Sequence, residues 1–335
     1  MNKDFISNIP EVTQQWKSAD YLGTLRVRFS IFRSNYKISP GLYRLGDPDS
    51  KSDVFVTANY KLSFDILRKN LETLSAWILV LDTKGINVWC AAGKGTFGTG
   101  ELIRQIRRSN LHEIVSHRRL ILPQLGAPGV SGHIVAEATG FNIKYGPVRA
   151  SDIEKYIESG YKTTGEMRNV RFSLKDRIIL TPAEIMNSLW QVLLAIAIFF
   201  GISGIVSAGY SFQAALSQGL KSALFISAAY LSGAFLTPVL LPWLPGRYFA
   251  GKGIAAATAV FAVMVAAGAA GIRIIYISGW FLMSVAISSF LAMNFTGAST
   301  YTSLSGVIKE MRLFIPVQIA AAASGFILLI VSKFI

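Results

Sequence analysis

Residues 81–95 read Leu81-Asp82-Thr83-Lys84-Gly85-Ile86-Asn87-Val88-Trp89-Cys90-Ala91-Ala92-Gly93-Lys94-Gly95, directly after the apolar residues Trp77-Ile78-Leu79-Val80. A short apolar run closed by polar and glycine residues suits a buried strand. The residues after that run are ambiguous. Asp82-Thr83-Lys84-Gly85 has the composition of a hairpin turn, Ile86, Val88 and Trp89 favour strand, and Ala91 and Ala92 favour helix. The stretch also holds the one cysteine among 335 residues. A single thiol forms no intrachain disulfide, supplies no four-thiolate iron–sulfur cluster and builds no structural zinc knot. Cys90 is therefore one ligand, one nucleophile or one inert core residue.

Working outward, Val54-Phe55-Val56-Thr57 and Leu120-Ile121-Leu122 are further short apolar runs suited to buried strands. Between the runs, Phe64–Leu71 and Leu102–Ile106 space their apolar residues as helices do, and Asp152–Ile157 reads as another helix before a basic linker. Thr99 is a candidate N-cap with Glu101 in the first turn of its helix. Strands alternating with helices predict an α/β domain around a mostly parallel sheet. Gly93-Lys94-Gly95-Thr96-Phe97-Gly98 matches the G-x-G-x-x-G spacing of a phosphate-cradling turn. It lacks the acid about 20 residues further on, and its lysine is out of order for a phosphate-binding loop. Its glycines instead read as letting the backbone lie close to a flat, bulky ligand.

The C-terminal half is of another kind. The chain is 52% hydrophobic and only 16% charged, far from a soluble average. Apolar stretches of bilayer-crossing length, roughly 20 residues, recur at about Ser188–Ala208, Ser222–Leu241, Gly253–Ile272, Ile274–Phe295 and Leu313–Val331. The expected division is a soluble domain over 1–165, a basic linker over 166–186 and five membrane helices over 187–335. The net charge of +14 is spread over both halves, with seven Lys or Arg against two acids from residue 181 onward. Its scatter, without a recognition motif, argues against nucleic-acid binding and for anionic headgroups at a lipid bilayer.

The polar N-terminus carries no secretory signal pattern. Arg171, Lys175, Arg177, Arg247, Lys252, Lys309 and Arg312 fall on one side of the spans, and Lys221 and Arg273 on the other. The bias puts the N-terminal domain in the cytoplasm and the C-terminus outside a multi-pass inner-membrane protein. Trp190, Trp243 and Tyr248 are candidate interface anchors, and Gly253–Ala257 suits close helix packing. Asn187, Gln191, Asn294 and Gln318, near span ends, read as helix contacts. With no acid, base or histidine in the central parts of the spans, this half reads as an anchor rather than an ion or proton pathway.

Asn87-Val88-Trp89-Cys90-Ala91-Ala92-Gly93-Lys94, joined to five C-terminal spans, resembles the signature of the HgcA family, the membrane-anchored corrinoid proteins of microbial mercury methylation. The first half is also similar to the corrinoid-binding domain of the corrinoid iron–sulfur protein of the acetyl-CoA pathway, in Leu81–Gly85 and Ala91–Lys94. That relative lacks the cysteine. The resemblance implies an α/β, Rossmann-like corrinoid-binding domain followed by a five-helix all-α transmembrane domain. It implies a cobalamin-type cofactor with its own base displaced, and Cys90 thiolate as lower axial cobalt ligand from a short cap helix spanning the motif Asn87–Lys94. Thr57, Ser63 and the segment Gly146-Pro147-Val148-Arg149-Ala150 are implied contacts to the corrin amides.

The activity implied is a methyltransferase reaction from methyl-cobalt to inorganic Hg(II), carried out anaerobically. The implied partners are a ferredoxin-like protein of the HgcB type, with two cubane iron–sulfur clusters, and an upstream methyl-donor corrinoid methyltransferase. No Asp-x-His-x-x-Gly motif is present, and His112, His117 and His133 all lack that context. Two alternatives stand beside this reading. One is a methyl-carrying corrinoid protein with another physiological acceptor, and the other a membrane redox or transport protein with Cys90 as a bystander.

Overall fold

Strand propensity and burial coincide most strongly at Val54–Ala58 and Ala76–Leu81, every residue of which is buried. Apolar side chains on both faces mark central strands of a sheet covered on both sides. The computed structural model describes residues 8–206, 209–269, 271–299, 301 and 303–334. It divides into two units, the stretch up to Val27 with Ile31–Arg171, and Arg28–Ser30 with Phe172–Ile335.

In the first unit the strands are β1 (Glu11–Val12), β2 (Gly41–Leu45), β3 (Val54–Ala58), β4 (Ala76–Leu81), β5 (Arg119–Leu122) and β6 (Asn142–Tyr145). The helices are α1 (Ser18–Arg28, all but its last residue in this unit), α2 (Lys61–Lys69), α3 (Val88–Gly93), α4 (Thr99–Arg108), α5 (Leu111–Ile114), α6 (Gly132–Thr139), α7 (Ile153–Glu158) and α8 (Gly165–Arg168). The sheet order is β1-β2-β4-β3-β5-β6. β4, β3, β5 and β6 run parallel, while β2 pairs with β4 antiparallel. This is the α/β, Rossmann-like arrangement the sequence predicts. One core face gathers Val56, Leu79, Leu81, Leu102 and Leu120, and the other Phe55, Ile78, Val80, Phe64 and Ile121. Burying each such side chain contributes about 1.5–3 kcal/mol before the entropy of ordering is subtracted.

Two local expectations are corrected. Asp82–Gly85 is not a hairpin turn but a strand-to-helix connection, made possible by left-handed backbone at Lys84 (φ 58°) and Gly85 (φ 76°). Gly98, not Thr99, is the N-cap of α4. Thr99 is the first helical residue, and its hydroxyl accepts from the Ser131 N–H at 2.8 Å.

The second unit holds α9 (Leu174–Ser203), α10 (Phe212–Leu231), a π-helical turn at Ser232–Leu236, α11 (Thr237–Leu240), α12 (Phe249–Ala266), α13 (Ile274–Asn294) and α14 (Leu304–Val331). Among the described residues five helical stretches, α10 to α11 counting as one, are long and apolar enough to cross a membrane. α9 starts well before its apolar stretch because Ser173 and Asp176 form a capping box, each side chain bonded to the other's N–H. Arg177 in its first turn is buried and donates to Phe172 O and Val239 O.

Small residues let these helices touch. A Cβ on Gly253 would lie 2.7 Å from both Ala292 Cβ and Ser288 O, and one on Gly233 2.6 Å from Ser288 O. Ser288 Oγ donates to Gly253 O at 2.8 Å. Gln318 lies well inside α14, not near a span end, and donates to Ser289 Oγ at 2.9 Å. Glu310, also within α14 and 2% exposed, accepts from Ala250 N at 2.6 Å and so caps α12.

Candidate functional site

The winding of the sheet locates the site. From β3 the chain crosses to β4 on one side, and from β4 it returns past β3 to β5 on the other. In an open α/β sheet a ligand crevice opens beyond the carboxyl ends of the strands where the winding reverses. A cavity of about 320 Å³ lies at this reversal, lined by Phe55, Val56 and Thr57 of β3 and by Ile121, Leu122 and Pro123 at the end of β5. Ser63, Ile66 and Leu67 of α2, Asn87, Val88 and Trp89, Leu125, Gly146–Val148, Ala150 and Ile153 complete it. Most of this lining is apolar, and its polar side chains include the Thr57 and Ser63 hydroxyls and the Asn87 amide.

α3 owes its helicity to its cap. Asn87 has extended backbone, and its Oδ1 accepts from the Cys90 N–H at 2.9 Å. That bond satisfies an orphan donor of the first turn and outweighs the strand preference of Val88 and Trp89. The helix then buries Ala91 and Ala92. Gly129, at the end of the 3₁₀ turn Gln124–Gly129, approaches so closely that an added Cβ would sit 2.1 Å from Phe97 O and 3.1 Å from Ala92 Cα. Phe97 is fully buried, and its N–H and that of Thr96 both donate to Ala91 O. Cys90 is half-buried, next in sequence to the lining residue Trp89 but not itself in the lining. Gly93 and Lys94 are exposed at the far end of the helix.

The connection that launches α3 is ordered by one side chain. Asn59, 3% exposed at the end of β3, accepts at Oδ1 from Thr83 N (3.1 Å) and Gly85 N (2.9 Å). Its Nδ2 donates to Asp82 Oδ1 at 3.2 Å, and the Thr83 hydroxyl lies between Asn59 Oδ1 and Ile86 O. Glu101 of α4 accepts from the Asp82 N–H at 2.8 Å. The turn is thus held from β3 on one side and α4 on the other.

α2, which contributes Ser63, is held from outside by charge. Lys61 and Arg68 on α2 bridge both Asp20 of α1 and Asp65. Burial alone would raise the Asp20 carboxyl, but hydrogen bonds from Lys61, the Lys17 N–H and Arg68, with the charge of Lys61, outweigh it and hold its pKa down to about 2.

Of the residues expected at a site, Thr57, Ser63, Asn87, Val88, Trp89, Gly146, Pro147, Val148 and Ala150 border this cavity, and Arg149 does not. Ala91 and Ala92 seat the helix instead. The glycine-rich stretch has local reasons: Gly95 takes φ 77°, and a Cβ on Gly98 would meet Gly95 O at 2.7 Å. His117 bonds Ser52 O and His133 bonds Ser131, and among the described residues no cluster of three His, Cys, Asp or Glu could hold a metal ion. Asn59 escaped the sequence reading, although a lone amide closing an apolar strand was a visible signal. Phe55, Ile66 and Ile153 gave none, because apolar cavity lining and core are the same residue types.

Fold and cavity together define a doubly wound α/β domain with a cavity at its winding reversal. Residues 12–157 match the family model described as CO dehydrogenase/acetyl-CoA synthase delta subunit. Among curated proteins, the acetyl-CoA decarbonylase/synthase complex subunit gamma of Methanopyrus kandleri is 32% identical over 153 residues, covering 45% of this chain and 32% of the relative. The subunit of the same name from Archaeoglobus fulgidus is 30% identical over 143 residues, 41% of this chain and 30% of the relative. That of Methanothermobacter thermautotrophicus is 29% identical over 148 residues, 44% and 32%. The chain spans about a third of the length of the curated relatives it matches.

Proposed function

We propose that the chain is a membrane-anchored corrinoid protein in which Cys90 thiolate is the lower axial cobalt ligand and inorganic Hg(II) receives a methyl group, giving methylmercury. The observation that carries this reading is the cavity at the winding reversal, bordered by the capped helix that bears the one cysteine. The residues present fit such a group. A largely apolar cavity of about 320 Å³ suits a displaced aromatic base. The Thr57 and Ser63 hydroxyls suit amide side arms, and a soft thiolate suits a polarizable metal. The similarity of residues 12–157 to subunits of acetyl-CoA decarbonylase/synthase complexes supports the corrinoid and methyl-carrying parts of the proposal.

When bound, the cofactor supplies a cobalt centre that takes up a methyl group and gives it away. The chain supplies position and electron density. Asn87 fixes the first turn of α3 and with it the direction of residue 90, Ala91 and Ala92 seat that helix, and Asn59 orders the turn before it. Cys90 would be the residue that holds the metal, and its thiolate would supply the electron density that tunes methyl transfer. Electrons come from a ferredoxin-like partner with two cubane clusters, and the methyl group from an upstream corrinoid methyltransferase. The domain 1–165 faces the cytoplasm, the segment 166–186 joins it to the membrane part 187–335, and the C-terminus lies outside.

A second reading is favoured by the relatives' names: a corrinoid protein with the same ligand chemistry serving another methyl acceptor. Reconstitution with cobalamin under anaerobic conditions tests what both share. The full chain is expected to give a base-off, thiolate-ligated absorption spectrum that Cys90→Ala lacks; an unchanged spectrum in the variant removes the assigned ligand. Mercury is tested separately. Membranes containing the chain and its ferredoxin partner are expected to form methylmercury, and the Cys90→Ala membranes none. A chain that binds cobalamin through Cys90 but forms no methylmercury leaves the second reading.

A further inference from the structure

The first unit carries an apolar surface that neither the cavity nor the core explains. Tyr21, Leu22 and Leu25 of α1, then Ile31 and Phe32 just beyond it, are all exposed, Phe32 at 74%. The face is packed from beneath by Tyr36. The Tyr36 ring lies across α1, so that a Cβ on Gly23 would meet the Tyr36 hydroxyl at 2.4 Å. Tyr36 also packs edge-on against Tyr60, and its carbonyl accepts from the Lys61 N–H. Phe32 itself holds left-handed backbone (φ 52°), an unfavourable state for a bulky residue and one that here leaves its ring in water.

Around these residues Lys17, Arg26, Arg33 and Lys37 are exposed, while the acid of the segment, Asp20, is buried against Lys61 and Arg68. An apolar face rimmed by bases is the pattern of a helix lying in a lipid headgroup layer. The same chain brings such a layer within reach through five helices of membrane-crossing length, and tethering raises the effective concentration of the surface.

We propose that α1 and the turn after it, with Phe32 at the tip, dock onto the anionic surface of the bilayer. The proposal rests on the reading that the five helices span that bilayer. Docking restricts how the first unit meets the membrane. Ser34 O lies 3.1 Å from where a Cβ on Gly85 would be, so the segment sits beside the turn that launches α3. The site is thereby held near the headgroups.

The test uses the full chain in lipid nanodiscs, with Cys90→Ala leaving one introduced thiol for a nitroxide label. Labels are placed at Phe32→Cys, at Lys51→Cys in the loop before β3 as a water reference, and at Val263→Cys, exposed on α12, as a lipid reference. In discs containing phosphatidylglycerol, the Phe32 label is expected to favour oxygen over an aqueous nickel chelate about five-fold more than the Lys51 label. The excess is expected to fall to about that of Lys51 in pure phosphatidylcholine, and in Arg26→Glu/Arg33→Glu. A Phe32 label as open to nickel as Lys51 in anionic discs, with Val263 reading lipid, overturns the docking; it is the result if the face serves a protein partner or a second copy. An oxygen preference unaffected by lipid charge overturns the anionic surface as occupant. A Val263 label open to nickel overturns the spanning reading itself.

Discussion

At the scale of single residues, the candidate site depends on two asparagines. Asn87 converts a strand-like Val-Trp-Cys into a helix start, and Asn59 satisfies the amides of the turn before it. Asn59→Ala takes the acceptor from the buried Gly85 N–H, at about 1–3 kcal/mol, while the Thr83 N–H keeps Leu81 O. Amide hydrogen exchange at Gly85 is expected to quicken about ten-fold or more in that variant. Exchange at wild-type rates would show that the turn is ordered without the side chain. The spectrum proposed for Cys90 should weaken in the same variant, because residue 90 hangs from this turn. The sequence made Asn87 and Cys90 conspicuous by spacing and rarity. Asn59 shows in it only as a lone amide closing an apolar strand, and its role comes from β3 lying beside β4, a pairing that no local pattern encodes.

At the scale of elements, α2 forms one wall of the cavity and is fixed by Asp20 reaching over from α1. The carboxyl titrates at about 2 when folded against an ordinary 3.8, so the folded state binds its proton less readily than the unfolded one. Its stabilisation is fully present above about pH 4 and is lost as the pH falls through about 2. Asp20→Asn is therefore expected to lower stability by on the order of 1–2 kcal/mol at pH 7, with the gap to wild type closing toward pH 2. Urea unfolding followed on Trp16, which bonds Asp65 O, measures it; a gap that does not change with pH would place the effect elsewhere.

The central strands β3, β4 and β5 are legible in the sequence because burial on both faces makes them uniformly apolar. β2 and β6 are not, since Gly41–Leu45 and Asn142–Tyr145 mix polar and apolar residues. Hydropathy understates the length of α9 because its first turns are polar, although the Ser173–Asp176 box marks its start.

At the scale of the whole molecule, two kinds of solvent are written into one chain. Helices α9 to α14 expose Leu194, Val263, Val317 and Ile327, and they satisfy polar groups internally through Ser288, Gln318 and Glu310. That pattern suits hydrocarbon. The chain is expected to stay with membranes through alkaline carbonate and high salt and to leave only with detergent; release by carbonate would contradict spanning helices. Composition made this division visible, whereas the polar contacts inside the helices needed the packing to reveal them. The one thiol carries a final consequence. Once a peroxide turns Cys90 into a sulfenic acid, no second cysteine in the chain can condense with it, so rescue needs an external thiol before overoxidation to the sulfinic state. If Cys90 holds cobalt as proposed, overoxidation at that one atom removes the ligand with no internal route back.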